Sequence, residues 1–246
     1  MKLKILGSSS HGNCYLLEGA NQTLMLECGV RMAEVKKALG YDISRVAGAL
    51  LTHEHGDHSA YALDVLKAGI QIYASEGTIE MIKTGGFYPH PIMYINRPFQ
   101  VGEFRVIAFD AEHDAEEPLG FYIQHPECGV VLFATDTRDV NTLMKGVNTA
   151  LIEANFSHEI MDDRIMKGSL NVAQARRIEA SHMSLERCIF TLKEFDLSQM
   201  LRIVLLHASD GNSNAREFQY AVQSATGIQT YVADKGLEIE INKIPF

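Results

Sequence analysis

Three imidazoles and a carboxylate fall within six positions of one stretch: His53, His55, Asp57 and His58, in Thr52-His53-Glu54-His55-Gly56-Asp57-His58. Neutral imidazole nitrogen and carboxylate oxygen are the ligands that zinc and related divalent ions take at roughly 2.0–2.2 Å. In an extended segment, residues two apart point to one side, so His53 and His55 can reach one ion together. Asp57 and His58 lie past the turn at Gly56 and can aim at a second ion. A solvated polar turn can also hold histidines, but not at this density straight after an apolar run.

That run, Val46-Ala47-Gly48-Ala49-Leu50-Leu51, reads as a buried strand, and Ala60 to Leu66 reads as a helix. The ligands therefore sit on a strand-to-helix loop, where α/β folds place their chemistry. Other potential ligands also follow apolar strands. His113 comes just after the strand Phe104–Phe109, Asp136 after Val130–Ala134, and His207 after Leu201–Leu206. A lone His or Asp there is ordinarily a turn residue; beside the 53–58 loop, these positions become candidate ligands.

The remaining chain supplies the frame. Leu3–Leu6 reads as a strand, followed by the small polar loop Gly7-Ser8-Ser9-Ser10-His11-Gly12-Asn13. Such a loop can cradle a phosphate with backbone N–H groups, or be an ordinary connection. His11 and Asn13 are its candidate substrate contacts. Cys14–Glu18 and Thr23–Glu27 form a hairpin. Helices are expected over Met32–Leu39, Glu76–Lys83 (Ser75 as N-cap), Asn171–Ala180, Leu185–Phe195 (Ser184 as N-cap) and Ala215–Ser224. Strands are expected over Ile70–Ala74, Phe121–Gln124, Ala150–Asn155, Gln229–Val232 and Leu237–Ile241. His90, in a loop without a patterned neighbour, reads as structural or exposed.

The chain has 246 residues, 46% hydrophobic and 22% charged, which suits one domain over 1–246, as a single unit or two tightly joined halves, and does not indicate disorder. A net charge of −9 argues against a large basic nucleic-acid face. It leaves room for nucleic acid at a site where bound ions reverse the local sign. Cys14, Cys28, Cys128 and Cys188 show no CxxC spacing and read as free thiols of a reducing compartment. No apolar run approaches the ~20 residues that span a bilayer, so no membrane is expected and a cytoplasmic protein is. Nothing marks an obligate protein partner.

The HxHxDH pattern of His53 to His58 resembles the signature of the metallo-β-lactamase superfamily. The resemblance covers nearly the whole chain, with the motifs in the family's order. It implies a four-layer αββα sandwich, with ligands on loops at one edge. It implies that His53, His55 and His113 hold one divalent ion, that Asp57, His58 and His207 hold a second, and that Asp136 bridges them. The ions would be zinc or manganese, with iron also possible. A water between such ions becomes hydroxide near neutral pH and serves as nucleophile. Asp57 would also orient that nucleophile. Where the family usually carries an Asp beside the ligand loop, this chain has Glu27, one methylene longer; a role in holding a ligating histidine is expected.

Within the superfamily, Gly7–Asn13, Glu153-Ala154-Asn155, Ser181-His182-Met183-Ser184 and Asn212–Asn214 resemble the bacterial YycJ/WalJ-like branch, phosphodiesterases acting on DNA ends. The branch's Gly-His-Leu-Ser is here Ser-His-Met-Ser, with the histidine kept. The Glu–His pair is similar to that of ribonuclease Z: Glu153 would orient His182, and His182 would protonate the leaving oxygen. His182 could instead merely join two helices. The implied function is a dinuclear phosphodiesterase or exonuclease, with DNA favoured over RNA. The alternatives are a thioester or small-ester hydrolase of the same fold, or a non-catalytic metal-binding domain.

Overall fold

Alternation of buried residues along the strands dictates a sandwich. In the strand Cys14–Glu18, Tyr15 and Leu17 enter one apolar cluster while Cys14 and Leu16 enter another; Leu24 and Leu26 part from Met25 in the same way. The sheet is therefore covered on both faces. The computed structural model describes residues 1–82 and 92–244; His90 and Lys83 lie outside them.

Strands β1 (Lys2–Gly7), β2 (Cys14–Glu18), β3 (Thr23–Leu26), β4 (Val46–Leu50) and β5 (Ile72–Tyr73) build the first sheet, closed on its other side by β13 (Glu238–Glu240), in the order β13-β1-β2-β3-β4-β5. The second sheet holds β6 (Pro98–Val101), β7 (Phe104–Asp110), β8 (Leu119–His125), β9 (Gly129–Ala134), β10 (Val147–Glu153), β11 (Arg202–Leu206) and β12 (Gln229–Val232), in the order β12-β11-β10-β9-β8-β7-β6.

The central core lies between the sheets. Leu3, Ile5, Tyr15, Leu17 and Leu50 of the first meet Phe104, Val106, Phe121, Phe133, Leu151 and Val204 of the second. Tyr15 and Phe133 pack edge to face at 5.4 Å. Helices α1 (Met32–Ala38), α3 (Ala62–Lys67) and α4 (Glu76–Met81) supply Met32, Val35, Val65 and Ile79 to the outer face of the first sheet. Helices α7 (Leu185–Glu194) and α8 (Ala215–Thr226) supply Cys188, Leu192, Phe218 and Val222 to the outer face of the second. The helices α5 (His158–Met166) and α6 (Val172–Ser181) form their own small cluster around Met161 and Ala175. The result is the four-layer αββα sandwich. No helix among the described residues is long and apolar enough to cross a membrane.

The expected elements are present, with informative shifts. The helix expected over Ala60–Leu66 is α3, which starts at Ala62, and a separate unexpected turn, α2 (Gly56–Ser59), precedes it. β3 stops at Leu26, because Glu27 turns into the left-handed region at φ 66°. The strand at Pro98–Val101 was not expected; it is an edge strand, the place in a sheet where a proline's missing N–H is tolerated. β10 begins at Val147, three residues earlier than the apolar run, because Asn148 and Thr149 hide its start. The N-caps at Ser75 and Ser184 accept bonds from Thr78 N and Arg187 N. All four cysteines are free and buried.

Candidate metal centre

Strand register brings the candidate residues to one edge. β9, β10 and β11 run parallel, with Ala134 beside Ile152 and Glu153 beside Leu206, so their carboxyl ends deliver Asp136, Glu153 and His207 together. β3 and β4 are likewise parallel, with Leu26 beside Leu50, which sets Glu27 beside the 52–58 loop. Leu119 N donates to Thr52 O across the sandwich at 3.0 Å, tying the two sheets at this edge. Asp136 and His207 share left-handed backbone with Glu27, at φ 46° and 51°. Such conformations cost energy in residues with a side chain, and they recur where side chains must be aimed.

The ligand atoms form two groups. One ligand atom from each of His53, His55 and His113 lies within 4.8 Å of the others, and so do those of Asp57, His58, Asp136 and His207. In the first group, His55 Nδ1 and His113 Nε2 face each other at 3.1 Å. His53 Nε2 is buried and has no hydrogen-bond partner among the described residues. An orphaned imidazole nitrogen in a core needs a reason, and a divalent ion supplies one. The other ring nitrogens are held from outside: His53 Nδ1 lies 2.9 Å from Thr52 Oγ1, and His113 Nδ1 lies 2.8 Å from the Ser181 carbonyl. Outer partners of this kind fix the tautomer and leave the inner nitrogen free. Burial also pulls the basicity of both His53 and His113 below the ordinary value, favouring the neutral ring a metal requires.

Asp136 lies between the groups. Its Oδ2 is 2.8 Å from His58 Nε2, 3.6 Å from His53 Nε2 and 3.8 Å from His113 Nε2, while Oδ1 is 3.4 Å from His207 Nδ1. Burial alone would raise its pKa, but His207 and His58 outweigh burial and hold it well below the ordinary carboxylate range. Burial would likewise discharge His58 and His207, but the carboxylates around them together outweigh it: Asp136 with Glu27 and Asp57 for His58, and Asp136 with Asp57 and Glu153 for His207. The residues fit divalent ions in donor type and convergence.

Glu27 is fully buried, with Oε2 3.5 Å from His58 Nδ1 and 3.4 Å from Thr52 N. It faces the ligand loop as expected. Asn13 does not meet its expectation as a substrate contact. It is buried, and its Nδ2 lies 3.2 Å from Asp57 Oδ2 and 3.0 Å from His58 Nε2. His11 is exposed and lines a neighbouring groove of about 790 Å³. The loop is no phosphate cradle through residues 11–13, since the N–H groups of His11, Gly12 and Asn13 are taken by Ser9 Oγ, Ser9 O and Asp57 O. Its Ser8 Oγ accepts from His207 N at 3.0 Å instead.

Glu153 and His182 meet at 2.7 Å, Oε1 to Nδ1. Glu153 is fully buried, and its Oε2 accepts from Thr137 N and Met183 N. The segment after α6 runs beside the end of β10, through Asn155 N to Met183 O and Leu185 N to Phe156 O, which fixes His182 in place. Its ring stacks on His207 at 5.4 Å and 12°. Burial lowers the basicity of His182, but Glu153 outweighs it and pushes the pKa up to about 9. A third grouping, Asp136, Glu153, His182 and His207, also lies within 4.8 Å, so His182 has ligand geometry as well as acid geometry. A cleft of about 410 Å³ opens over the site, lined by His55, Asp57, His113, Asp136, His182 and His207 among others.

Thr52, the Ser181 carbonyl and Asn155, whose Nδ2 is 3.0 Å from His207 Nδ1, went unassigned in the sequence reading. Thr52 and Asn155 stand inside the quoted motif stretches, and that position is the one signal the sequence offers; a backbone carbonyl offers none.

A two-sheet sandwich with histidine and aspartate clusters at its carboxyl edge defines the class, a metal-dependent hydrolase of the αββα fold. The chain belongs to the metallo-β-lactamase superfamily: the Beta-lactamase superfamily domain matches residues 24–207. It is similar to the exodeoxyribonuclease YycJ of Bacillus anthracis, at 27% identity over 87% of this chain and 84% of the relative. It is also similar to the exodeoxyribonuclease WalJ of Streptococcus pneumoniae serotype 2, at 29% identity over 65% of this chain and 64% of the relative. Its fold is that of the metallo-β-lactamase fold protein YhfI from Bacillus subtilis, with a TM-score of 0.73, 17% identity, and coverage of 97% of this chain and 99% of that one.

Proposed function

We propose that the chain is a phosphodiesterase acting on nucleic-acid ends, DNA rather than RNA, with two divalent ions. His53, His55 and His113 would hold one, Asp57, His58 and His207 the other, and Asp136 both. Bound there, the ions supply Lewis-acid activation of a water and of phosphoryl oxygens. The observation that carries the reading is the Glu153–His182 pair, a hydrogen-bonded acid at the wall of the ligand cleft. His182 is not needed to complete the two ligand sets around Asp136, and expelling an alkoxide calls for a proton donor beside them. The names of the two exodeoxyribonuclease relatives support the substrate class.

The chain's own groups then divide the work. Asp57 turns Oδ2 toward His58 and His207, which leaves Oδ1 to accept a hydrogen bond from the attacking water. Glu153 fixes the His182 ring through Nδ1, so the proton leaves from Nε2. As the water oxygen bonds to phosphorus and gives up a proton to solvent, the opposite P–O bond breaks and the His182 proton goes to the leaving oxygen; His182 then takes a proton back from solvent.

His182→Ala tests the assignment. With zinc or manganese loaded, hydrolysis of bis-p-nitrophenyl phosphate and of end-labelled single-stranded DNA should be measured beside metal content. A general acid contributes about 10²–10⁴-fold, so the DNA rate should fall by that order with metal retained. The activated nitrophenolate should be less sensitive, since it leaves without a proton. Loss of metal in this variant would instead make His182 a ligand.

A further inference from the structure

One face of α6 borders the ligand cleft. Gln174, Arg177, Ile178 and Ser181 all line it, the i, i+3, i+4, i+7 spacing of a single helical face. The end of this helix is pinned to the centre, because Ser181 O holds His113 Nδ1. Among the described residues lining the cleft, Arg177 is the one lysine or arginine. It lies four residues, about 6 Å along the helix axis, before Ser181.

Its acidic neighbour is Asp114, 3.9 Å away, with the two side chains 81% and 47% exposed. An ion pair in water of this kind is worth little, so the guanidinium can exchange Asp114 for another anion at small cost. Its planar fork suits phosphate. The larger groove on the far side of the Ser8–Gly12 loop offers no comparable preference. It carries Arg31, Arg216 and Lys235, but also Glu34, Asp210 and Asp234, and Lys235 pairs with Glu34.

We propose that Arg177 binds the phosphate next to the scissile one, so that the strand lies across α6 with its reacting end beside His182. This rests on the phosphodiesterase reading above. A separation of about 6 Å along the helix axis is comparable with the step between phosphates in an extended strand, so one substrate can meet both Arg177 and the centre. Arg176 is exposed on the same helix and does not line the cleft; it serves as the control for simple loss of charge.

The test is steady-state hydrolysis of a single-stranded oligonucleotide by the metal-loaded full chain. Arg177→Ala should raise KM about five- to tenfold, with kcat within about twofold. The dependence of log KM on log salt should flatten by about 0.7. Arg177→Lys should recover part of the loss, and Arg176→Ala should leave KM as in the native chain. The loss on bis-p-nitrophenyl phosphate, which has no neighbouring phosphate, should be smaller than on the oligonucleotide. An unchanged KM in Arg177→Ala, or an equal rise in Arg176→Ala, overturns the proposal. Binding of a fluorescent oligonucleotide, followed by anisotropy in a His182→Ala background, separates the two readings. Binding weakened by Arg177→Ala without turnover in the native chain keeps the phosphate contact and rejects the phosphodiesterase. Binding indifferent to Arg177 beside normal turnover does the reverse. A native chain that neither binds nor cleaves rejects both.

Discussion

Glu27 shows how far one methylene can be absorbed. It occupies left-handed backbone at φ 66°, is fully buried, and still brings Oε2 to 3.5 Å from His58 Nδ1. Burial raises its pKa, and His58 and Thr52 oppose that rise without cancelling it. A carboxylate is kept in such a place when it has a cation to face, and the charge carried by His58 or by an ion beyond it is that cation. Glu27→Gln removes the charge and keeps the shape. Metal affinity should weaken by about 10–100-fold with the fold retained, measured by titration with a competing chelator and by circular dichroism. Affinity equal to that of the native chain would mean that Glu27 merely fills space at a strand end.

Strand ends and short turns do the aiming at the next scale. The turn Gly56–Ser59 is stitched to two distant loops, with Asn13 N donating to Asp57 O at 2.8 Å and Cys28 N to His58 O at 2.7 Å. Gly29 is what allows that approach: a Cβ there would lie 1.8 Å from Asp57 O and 2.5 Å from Asn13 N, both backbone atoms. Gly29→Ala must therefore push the Asp57–His58 turn away from the loop. Overpacking of this kind costs about 1–3 kcal/mol, which lowers the melting temperature by roughly 2–12 °C in a chain of this size. Activity should fall further than stability explains, because the displaced turn carries two candidate ligands, Asp57 and His58. Thermal scans and turnover on the same preparation check this; native turnover in Gly29→Ala would show that the turn's position is not critical.

Across the whole molecule, two parallel blocks, β3–β4 and β9–β10–β11, end at one edge of the sandwich and supply most of the candidate ligands. The HxHxDH spacing made that edge legible, because few other functions place three imidazoles and a carboxylate after a buried strand. Continuous apolar runs made the strands legible too, and the resemblance supplied the sheet packing that no local pattern encodes. What escaped were features fixed by contacts distant in sequence. Asn13 reads as a loop residue until β1 and β2 fold it under Asp57. Arg177 is one position within the helix expected over Asn171–Ala180 until α6 is laid along the cleft. β6 was hidden by Pro98, and the start of β10 by Asn148 and Thr149, whose side chains are buried through tertiary pairing rather than through their own polarity.

Metal-dependent phosphodiester hydrolysis at the Asp136-centred site requires that turnover and bound ions be lost together. The direct measurement is release of end nucleotides from labelled single-stranded DNA by the full chain, with bound divalent ions counted by elemental analysis of the same sample, for the native protein and Asp136→Ala. Two ions per chain and turnover are expected in the native protein, with loss of both turnover and at least one ion in the variant. Turnover retained in Asp136→Ala, or a fully loaded native chain that leaves the DNA intact, would contradict this mechanism.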